Sequence, residues 1–257
     1  MKLLSCNAGY LLDYEGAYHE YVLRPHRGLV GSKRAEENAI SQLVDLISDE
    51  QPDVVGLVEV DQGSLRTRTD GQVTDIAGRL DQRGLVYQPY AATKYGDGGV
   101  IPSMPVLQHL ANGVLVSDGY ETTTHYLETG PKRLVIEVST PEVDIFNTHL
   151  AMSGRARRSQ LDELAALVSG RKNPVVAGDF NTYNGLDEVR AAFEDTDLTV
   201  YNPGETVPPR PLDGVVTDTR TLDFFIAPAE MPVSRCEVLD VQVSDHRPIV
   251  MEFDPAQ

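Results

Sequence analysis

Apolar residues in this chain gather into short continuous runs, and many of those runs end on a polar side chain. Residues 2–8 form the first, a buried strand that reaches Asn7. Residues 34–50 carry Ala39, Leu43, Leu46 and Ile47 at helical spacing, and Pro52 stops that helix. An apolar strand over 53–58 follows and leads into Glu59. The plan recurs in the second half. Residues 154–169 place Leu161, Leu164, Ala165 and Val168 on one helical face, Pro174 follows, and the run 175–177 leads into Gly178, Asp179, Phe180 and Asn181. Helix, proline and strand therefore deliver an acid twice, at Glu59 and at Asp179, which suggests two similar halves.

Further strands are expected over 86–93, 113–117, 134–138, 143–149, 221–226, 237–243 and 249–253. Residues 10–33 lack a helical period and read as a long loop, and 203–211 as a proline-rich one. Helices are few and most neighbouring strands can pair antiparallel, so the pattern predicts a two-sheet sandwich with helices outside.

Composition sharpens this picture. The hydrophobic fraction of 41% is that of a globular chain, and no apolar run approaches the roughly 20 residues that span a bilayer. Asp13 and Glu15 arrive too early for a secretory leader, so the N-terminus reads as a strand. Cys6 and Cys236 match no metal or redox spacing, which fits two reduced thiols in a cytoplasmic protein. The net charge of −17 is distributed along the chain, lysine is scarce, and such a surface resembles those of proteins from salt-loving organisms. It repels polyanions, so a nucleic-acid partner would need a local basic groove.

The chemistry lies at the strand ends. Asn7, Glu59, His149, Asp179, Asn181, Asp223, Asp245 and His246 each end or interrupt an apolar run. Buried polar groups are costly unless they are paired or used. Turn residues and satisfied core groups also stand at such places, and any single position leaves that alternative open. Convergence of the set at one edge of a sandwich would make a cleft of carboxylates and imidazoles. Carboxylate oxygens suit Mg²⁺ or Mn²⁺, a carboxylate can activate water, and an imidazole can donate to phosphate oxygens. The absence of a close His/Cys pair disfavours zinc. There is no GxSxG nucleophile elbow and no GxxxxGK[ST] phosphate loop.

Taken in order, Asn7, GLVEVD with Glu59, NTHL with His149, GDFN with Asp179 and Asn181, LDFF with Asp223, and SDHRPI with Asp245 and His246 resemble the endonuclease/exonuclease/phosphatase superfamily, the DNase I-like fold. The resemblance runs from about residue 2 to 253 and treats 1–257 as one domain. It implies a four-layer α/β/β/α sandwich with two central mixed β-sheets. It implies one Mg²⁺ or Mn²⁺ site held mainly by Glu59, with Asn7 and Asp245 nearby. Asp179 would position or deprotonate the attacking water, Asn181 would bind phosphate, His246 would contact the scissile phosphate oriented by Asp223, and His149 would be a second phosphate-facing imidazole. The reaction would be in-line attack by water.

Val58–Glu59–Val60 and Thr148–His149–Leu150 look more like the sphingomyelinase, inositol-phosphatase and general DNase branches than the abasic-site endonucleases. Those endonucleases usually have Gln-Glu-Thr or Gln-Glu-Lys at the first site and Tyr at the second. The expected substrate is a small or lipid-linked phosphate ester. A metal-dependent nuclease is the alternative, with Arg66, Arg68 and the 155–158 cluster as its basic groove, and an inert binding protein on the same scaffold is a third reading. Arg155, Arg158 and Arg247 are candidate phosphate contacts, Arg155 and Arg158 from a helix start beside the cleft. Residues 95–104 are a candidate substrate-facing lid, and Arg24, His26, Arg27, Lys33 and Arg34 in the long loop are candidates for a second anion.

Overall fold

Strand alternation decides the layering. In a strand, residues two apart share a face, so Leu3 and Leu4 at the start of the chain face opposite ways. A computed structural model of the protein describes residues 1–12, 33–64, 71–95, 107–117, 119–208 and 220–255. In it Leu3 packs between two sheets, with Val54, Ile136, Ile145, Val175, Phe225 and Met251, while Leu4 packs outward beneath helices.

Each of the two sheets has six strands among the described residues. The first contains β1 (Lys2–Asn7), β2 (Val54–Asp61), β3 (Gln88–Thr93), β4 (Leu110–Val116), β11 (Val233–Val238) and β12 (Ile249–Phe253), in the spatial order β11-β12-β1-β2-β4-β3. The second contains β5 (Glu121–Tyr126), β6 (Leu134–Ser139), β7 (Asp144–His149), β8 (Val175–Asp179), β9 (Leu198–Tyr201) and β10 (Asp223–Pro228), in the order β5-β6-β7-β8-β10-β9. Helix α1 (Lys33–Glu50) joins the parallel pair β1–β2, and α3 (Gly154–Val168) joins the parallel pair β7–β8. The remaining pairs are antiparallel. The two sheets thus share one topology, with the outer hairpin of the first supplied by the C-terminal strands. The repeat suggested by helix, proline, strand and acid is a property of the whole fold.

Helices α1 and α2 (Gln72–Asp81) cover the outer face of the first sheet, burying Ile40, Leu43, Ile47, Ile76 and Leu80. Helix α3 and the short α4 (Asp187–Ala192) cover the second, where Leu161, Leu164 and Val189 meet Phe146, Phe180 and Phe224. Each fully buried Leu, Ile or Phe contributes about 1.5–3 kcal/mol, so three apolar layers between four structural layers account for the architecture. The expected sandwich is the one observed.

The differences lie at edges. Strand β5 (ETTTHY) and helix α2, which carries Gly78 in its interior, were not expected, and neither were β9 and α4. None of the six residues of edge strand β5 is buried, so no apolar pattern marks it. The strand expected over 237–243 lies at Val233–Val238, with a register shift between Val233 and Arg235, because residues 239–248 turn inward instead to bring Ser244 and His246 under the sheet ends. Residues 13–32, which make up most of the expected long loop, lie outside the described residues, as do Arg24, His26, Arg27, Arg66, Arg68 and 96–104.

One polar group ties the sheets together near the site. Asn147 shares the inner face of β7 with Ile145 and His149, and its Nδ2 donates across the gap to the carbonyls of Leu57 (3.3 Å) and Gly113 (3.1 Å). Gly56 opposite leaves it room, since a Cβ there would lie 2.7 Å from Asn147 Oδ1. Replacing Asn147 by Ala is expected to lower stability by about 1–3 kcal/mol, because buried carbonyls lose their donor. Urea unfolding followed by circular dichroism measures this, and a loss within 0.5 kcal/mol, on the order of a neutral surface change, would show that the link is idle.

Candidate active site

Four strands turn from apolar to polar at the same end of the sandwich. On β1 the inner-face series is Leu3, Ser5, Asn7; on β7 it is Ile145, Asn147, His149; on β8 it is Val175, Ala177, Asp179; on β10 it runs back from Ala227 through Phe225 to Asp223. Period-2 geometry alone therefore aims Asn7, His149, Asp179 and Asp223 into the space between the sheets. Register places them side by side, with His149 opposite Asp179 and Asp223 opposite Asp179 on neighbouring strands. Carboxyl ends of parallel strands are where open α/β sheets bind ligands.

Glu59 reaches the same space by a different device. The β2–β4 pairing shifts register between Leu57 and Val60, and Glu59 has φ +56°, a left-handed conformation at the irregularity. Such a bulge re-aims one side chain. Asn112 on β4 holds the bent backbone by accepting from Glu59 N at 3.3 Å.

The acids and imidazoles form one connected network. Asp179 Oδ2 accepts from Asn7 Nδ2 at 2.9 Å, which joins the two sheets, and its Oδ1 accepts from the backbone N–H of Asn181 at 2.9 Å. His149 Nε2 stands 3.3 Å from Asp179 Oδ2, and its Nδ1 stands 3.8 Å from Glu59 Oε1. His246 Nδ1 pairs with Asp223 Oδ2 at 2.7 Å. Asp179, Asp223 and His246 each offer a ligand-type atom within 4.8 Å of the others. Ser244 supports this arrangement from the C-terminal segment, donating to Asn7 O at 2.5 Å and accepting from His246 N at 3.0 Å. Asn181 Nδ2 donates to Leu150 O at 2.9 Å, its one partner among the described residues.

Burial and charge set the protonation states. Burial pushes Asp179 up to about 6, with the His246 charge opposing and the Asp223 charge adding to the rise. Burial works against a charged His246, but the carboxylates of Asp223 and Asp179 outweigh it and hold the ring up to about 10. His149 is driven well below the ordinary histidine value, first by burial and then by Lys132 and Lys94, so it is neutral. Glu59 lies below the usual carboxylate range, because Lys94 and Lys132 outweigh its burial. Burial, with the Asp223 charge added, drives the Cys6 thiol far up, which suits a core residue and not a nucleophile.

Two lysines in this network were not among the residues expected from sequence. Lys94, at the end of β3, is 1% exposed, with Nζ 3.4 Å from Glu59 Oε1, 3.4 Å from His149 Nδ1 and 2.9 Å from the Tyr10 hydroxyl. Lys132, in the turn before β6, has Nζ 2.6 Å from His149 Nε2 and 3.7 Å from Glu59 Oε1. The available signal was rarity: lysine occurs five times in 257 residues, at positions 2, 33, 94, 132 and 172.

The arginines fall elsewhere. Arg157 is buried on α3, where it pairs with Glu188 at 2.6 Å and donates to the carbonyls of Ala151 and Met152. It is a structural brace for the turn after β7. Arg155 and Arg158 are exposed on the first turns of α3, and no contact joins them to the site among the described residues. The Arg247 guanidinium lies 4.0 Å from the exposed carboxylate of Asp240.

The donor chemistry fits a divalent cation of the Mg²⁺ class. Glu59 keeps 20% of its side chain exposed, and its Oε2 accepts no hydrogen bond from the described residues, so one hard oxygen is open. Asn7 Oδ1 already accepts from Gly9 N at 3.0 Å. Asp245 Oδ1 lies beside the end of β1, within 3.8 Å of where a Gly9 Cβ would stand.

Comparison with known proteins gives a consistent outcome. The model of the Endonuclease/Exonuclease/phosphatase family matches residues 22–246. No curated protein matches the sequence. Among solved structures, the chain is similar to an endonuclease/exonuclease/phosphatase from Beutenbergia cavernae DSM 12333, at 20% identity and TM-score 0.69, covering 98% of this chain and 71% of that one. It is similar to a mannosyl-6-phosphatase from Bacteroides thetaiotaomicron VPI-5482, at 15% identity and TM-score 0.64 over 99% of each chain. It is also similar to D. rerio TDP2 complexed with single strand DNA product, at 14% identity and TM-score 0.63 over 99% of this chain and 98% of that one. At these identities the likeness is one of fold.

Proposed function

The chain belongs to the endonuclease/exonuclease/phosphatase family, a superfamily of phosphoester hydrolases, and we propose that it hydrolyses a small or lipid-linked phosphate ester with the help of Mg²⁺ or Mn²⁺. The observation that supports this most is the triad of Asp179, Asp223 and His246 within 4.8 Å at the rim of two sheets. In this reading Asp179 accepts the proton of the attacking water. Two N–H donors fix its carboxylate, and a value near 6 leaves it ionised yet basic at neutral pH. His246 stays an imidazolium, oriented by Asp223, and donates to the phosphoryl oxygens where negative charge develops. The Asn181 amide and the network around His149 complete the donor side. Glu59 would hold the cation, with Asp245 and Asn7 as its neighbours. When bound, that ion would polarise a phosphoryl oxygen.

The net charge of −17 favours a compact substrate over duplex DNA, and no helix among the described residues is long and apolar enough to cross a membrane. The test is a panel of phosphomonoesters, phosphodiesters and single- and double-stranded DNA, with Mg²⁺ or Mn²⁺, at low and high salt. Turnover of at least one small ester is expected, falling by about 10³-fold or more in excess chelator, on the order of what a metal Lewis acid supplies. Cleavage of DNA with no turnover of small esters would favour the nuclease reading. No turnover, with no shift of melting temperature on adding either metal, would favour an inert scaffold.

A further inference from the structure

We propose that Lys94 and Lys132 form a two-ammonium clamp for the non-bridging oxygens of a terminal phosphate, so that the site takes phosphomonoesters in preference to phosphodiesters. This rests on the hydrolase reading above and adds to it the substrate's ester class.

The argument begins with hydrogen-bond accounting. An ammonium only donates, and a neutral imidazole offers one acceptor nitrogen. Yet both nitrogens of His149 face an ammonium, Lys132 Nζ at 2.6 Å from Nε2 and Lys94 Nζ at 3.4 Å from Nδ1. While both amines are charged, one of these contacts sets a donor against a donor. Nε2 also stands 3.3 Å from Asp179 Oδ2, and if its hydrogen points there it cannot accept from Lys132. Protonating the ring would make both nitrogens donors and deepen the conflict. The second observation is slack. Both ammonium groups lean on one oxygen, Glu59 Oε1, at 3.4 and 3.7 Å. Tight charge-assisted contacts are about 2.7–2.9 Å, so neither lysine is committed to that carboxylate. Among the described residues Lys94 has one close acceptor, the Tyr10 hydroxyl at 2.9 Å, and donors outnumber close acceptors at this corner, which is the complement of a phosphate group.

The placement is built into the fold. Lys94 comes from the first sheet and Lys132 from the second, and the two sides are tied together behind them. Tyr126 donates to Thr93 O at 2.9 Å, and Arg133 donates to Tyr95 O at 3.1 Å. Lys132 has φ +60°, a strained conformation for a lysine. The turn that carries it is held by Gln160 on α3, which is fully buried and donates to Thr129 O and Pro131 O at 2.8 and 2.9 Å. Lys94 lies at the covered end, while Lys132 keeps 19% of its side chain exposed and opens the clamp to solvent. A monoester phosphate presents up to two charges and three free oxygens and can end there. A diester presents one charge and two free oxygens, and its second arm must continue past the ties.

The test uses the full chain with inorganic phosphate as probe, titrated calorimetrically in chelator, and compares para-nitrophenyl phosphate with bis(para-nitrophenyl) phosphate in turnover with Mn²⁺. Lys132→Met is expected to weaken phosphate binding about tenfold or more, and Lys132→Arg to restore most of it. In Lys132→Met, kcat/KM should fall at least tenfold further for the monoester than for the diester. Lys94→Met should act in the same direction; if this buried change impairs folding, judged by its thermal melt, the Lys132 pair carries the test. Unchanged phosphate affinity in Lys132→Met, or equal losses on both esters, overturns the clamp. If phosphate binding depends on the lysines but no ester is turned over, the clamp stands and the hydrolase reading falls. If esters are hydrolysed and the lysine variants bind phosphate as the wild type does, the reverse holds.

Discussion

Asp179→Asn is expected to lower kcat by about 10³-fold, within the range that removing a general base costs, with the fold intact and KM little changed. Asparagine keeps the shape of the side chain and an oxygen to accept from Asn181 N, so the turn after β8 persists. What disappears is basicity at the oxygen that accepts from Asn7 Nδ2 and faces His149 Nε2. The pH profile provides a second readout. Burial holds the Asp179 carboxyl up to about 6, so wild-type kcat/KM should fall about tenfold per pH unit below that point as the base takes up its proton. The residual activity of Asp179→Asn should lack that limb. In the proposed mechanism the opposite limb would be set by His246, which Asp223 and Asp179 hold charged up to about 10 against burial. Asp223→Asn removes the nearest of those carboxylates and should bring the basic limb down. Retention of more than about a tenth of the wild-type rate in Asp179→Asn, less than the smallest usual effect of losing a base, would remove Asp179 from the reaction.

The second large effect concerns stability. Gly178→Ala should cost more than about 4 kcal/mol, in the tail of single-substitution effects. Gly178 has φ +140°, which side chains of L-residues rarely adopt, and an added Cβ would stand 1.9 Å from Thr148 O and 2.9 Å from Thr148 C. Both are backbone atoms of the neighbouring parallel strand, where Thr148 is the register partner of Gly178, so neither can rotate aside. The glycine before Asp179 is therefore what lets β7 and β8 approach closely enough to set His149 beside Asp179. Gly78→Ala is the contrasting case. Gly78 is exposed on α2 with nothing within 4 Å of the added atom, so this change should stabilise by about 0.5–1 kcal/mol. Denaturant unfolding of the two variants should move in opposite directions, and a Gly178→Ala protein as stable as wild type would show that the strand spacing is soft.

The layers and most of the candidate site are legible in the sequence, for one reason. In a strand the side-chain period is two, so an apolar run that ends in a polar residue of the right parity aims it at the core edge. Leu3 to Asn7, Ile145 to His149 and Val175 to Asp179 are read this way directly. The helices before β2 and β8 announced themselves by period and by the prolines that follow them. Glu59 was found by its position after an apolar run, but its direction depends on a bulge that no alternation encodes.

What tertiary structure alone decided is which distant groups share a charge environment. Lys94 and Lys132 stand at an edge-strand end and in a turn, where lysine is ordinary, and only the packing of one sheet on the other brings both within 4 Å of Glu59. Arg157 looked like a member of a basic cluster until α3 turned it inward to Glu188, while Arg155 and Arg158 stayed in solvent. Local pattern fixes the direction of a side chain relative to its own element. Partnership between elements depends on relative placement, and Coulomb energy, which varies with separation and burial, follows that placement and not the order of residues along the chain.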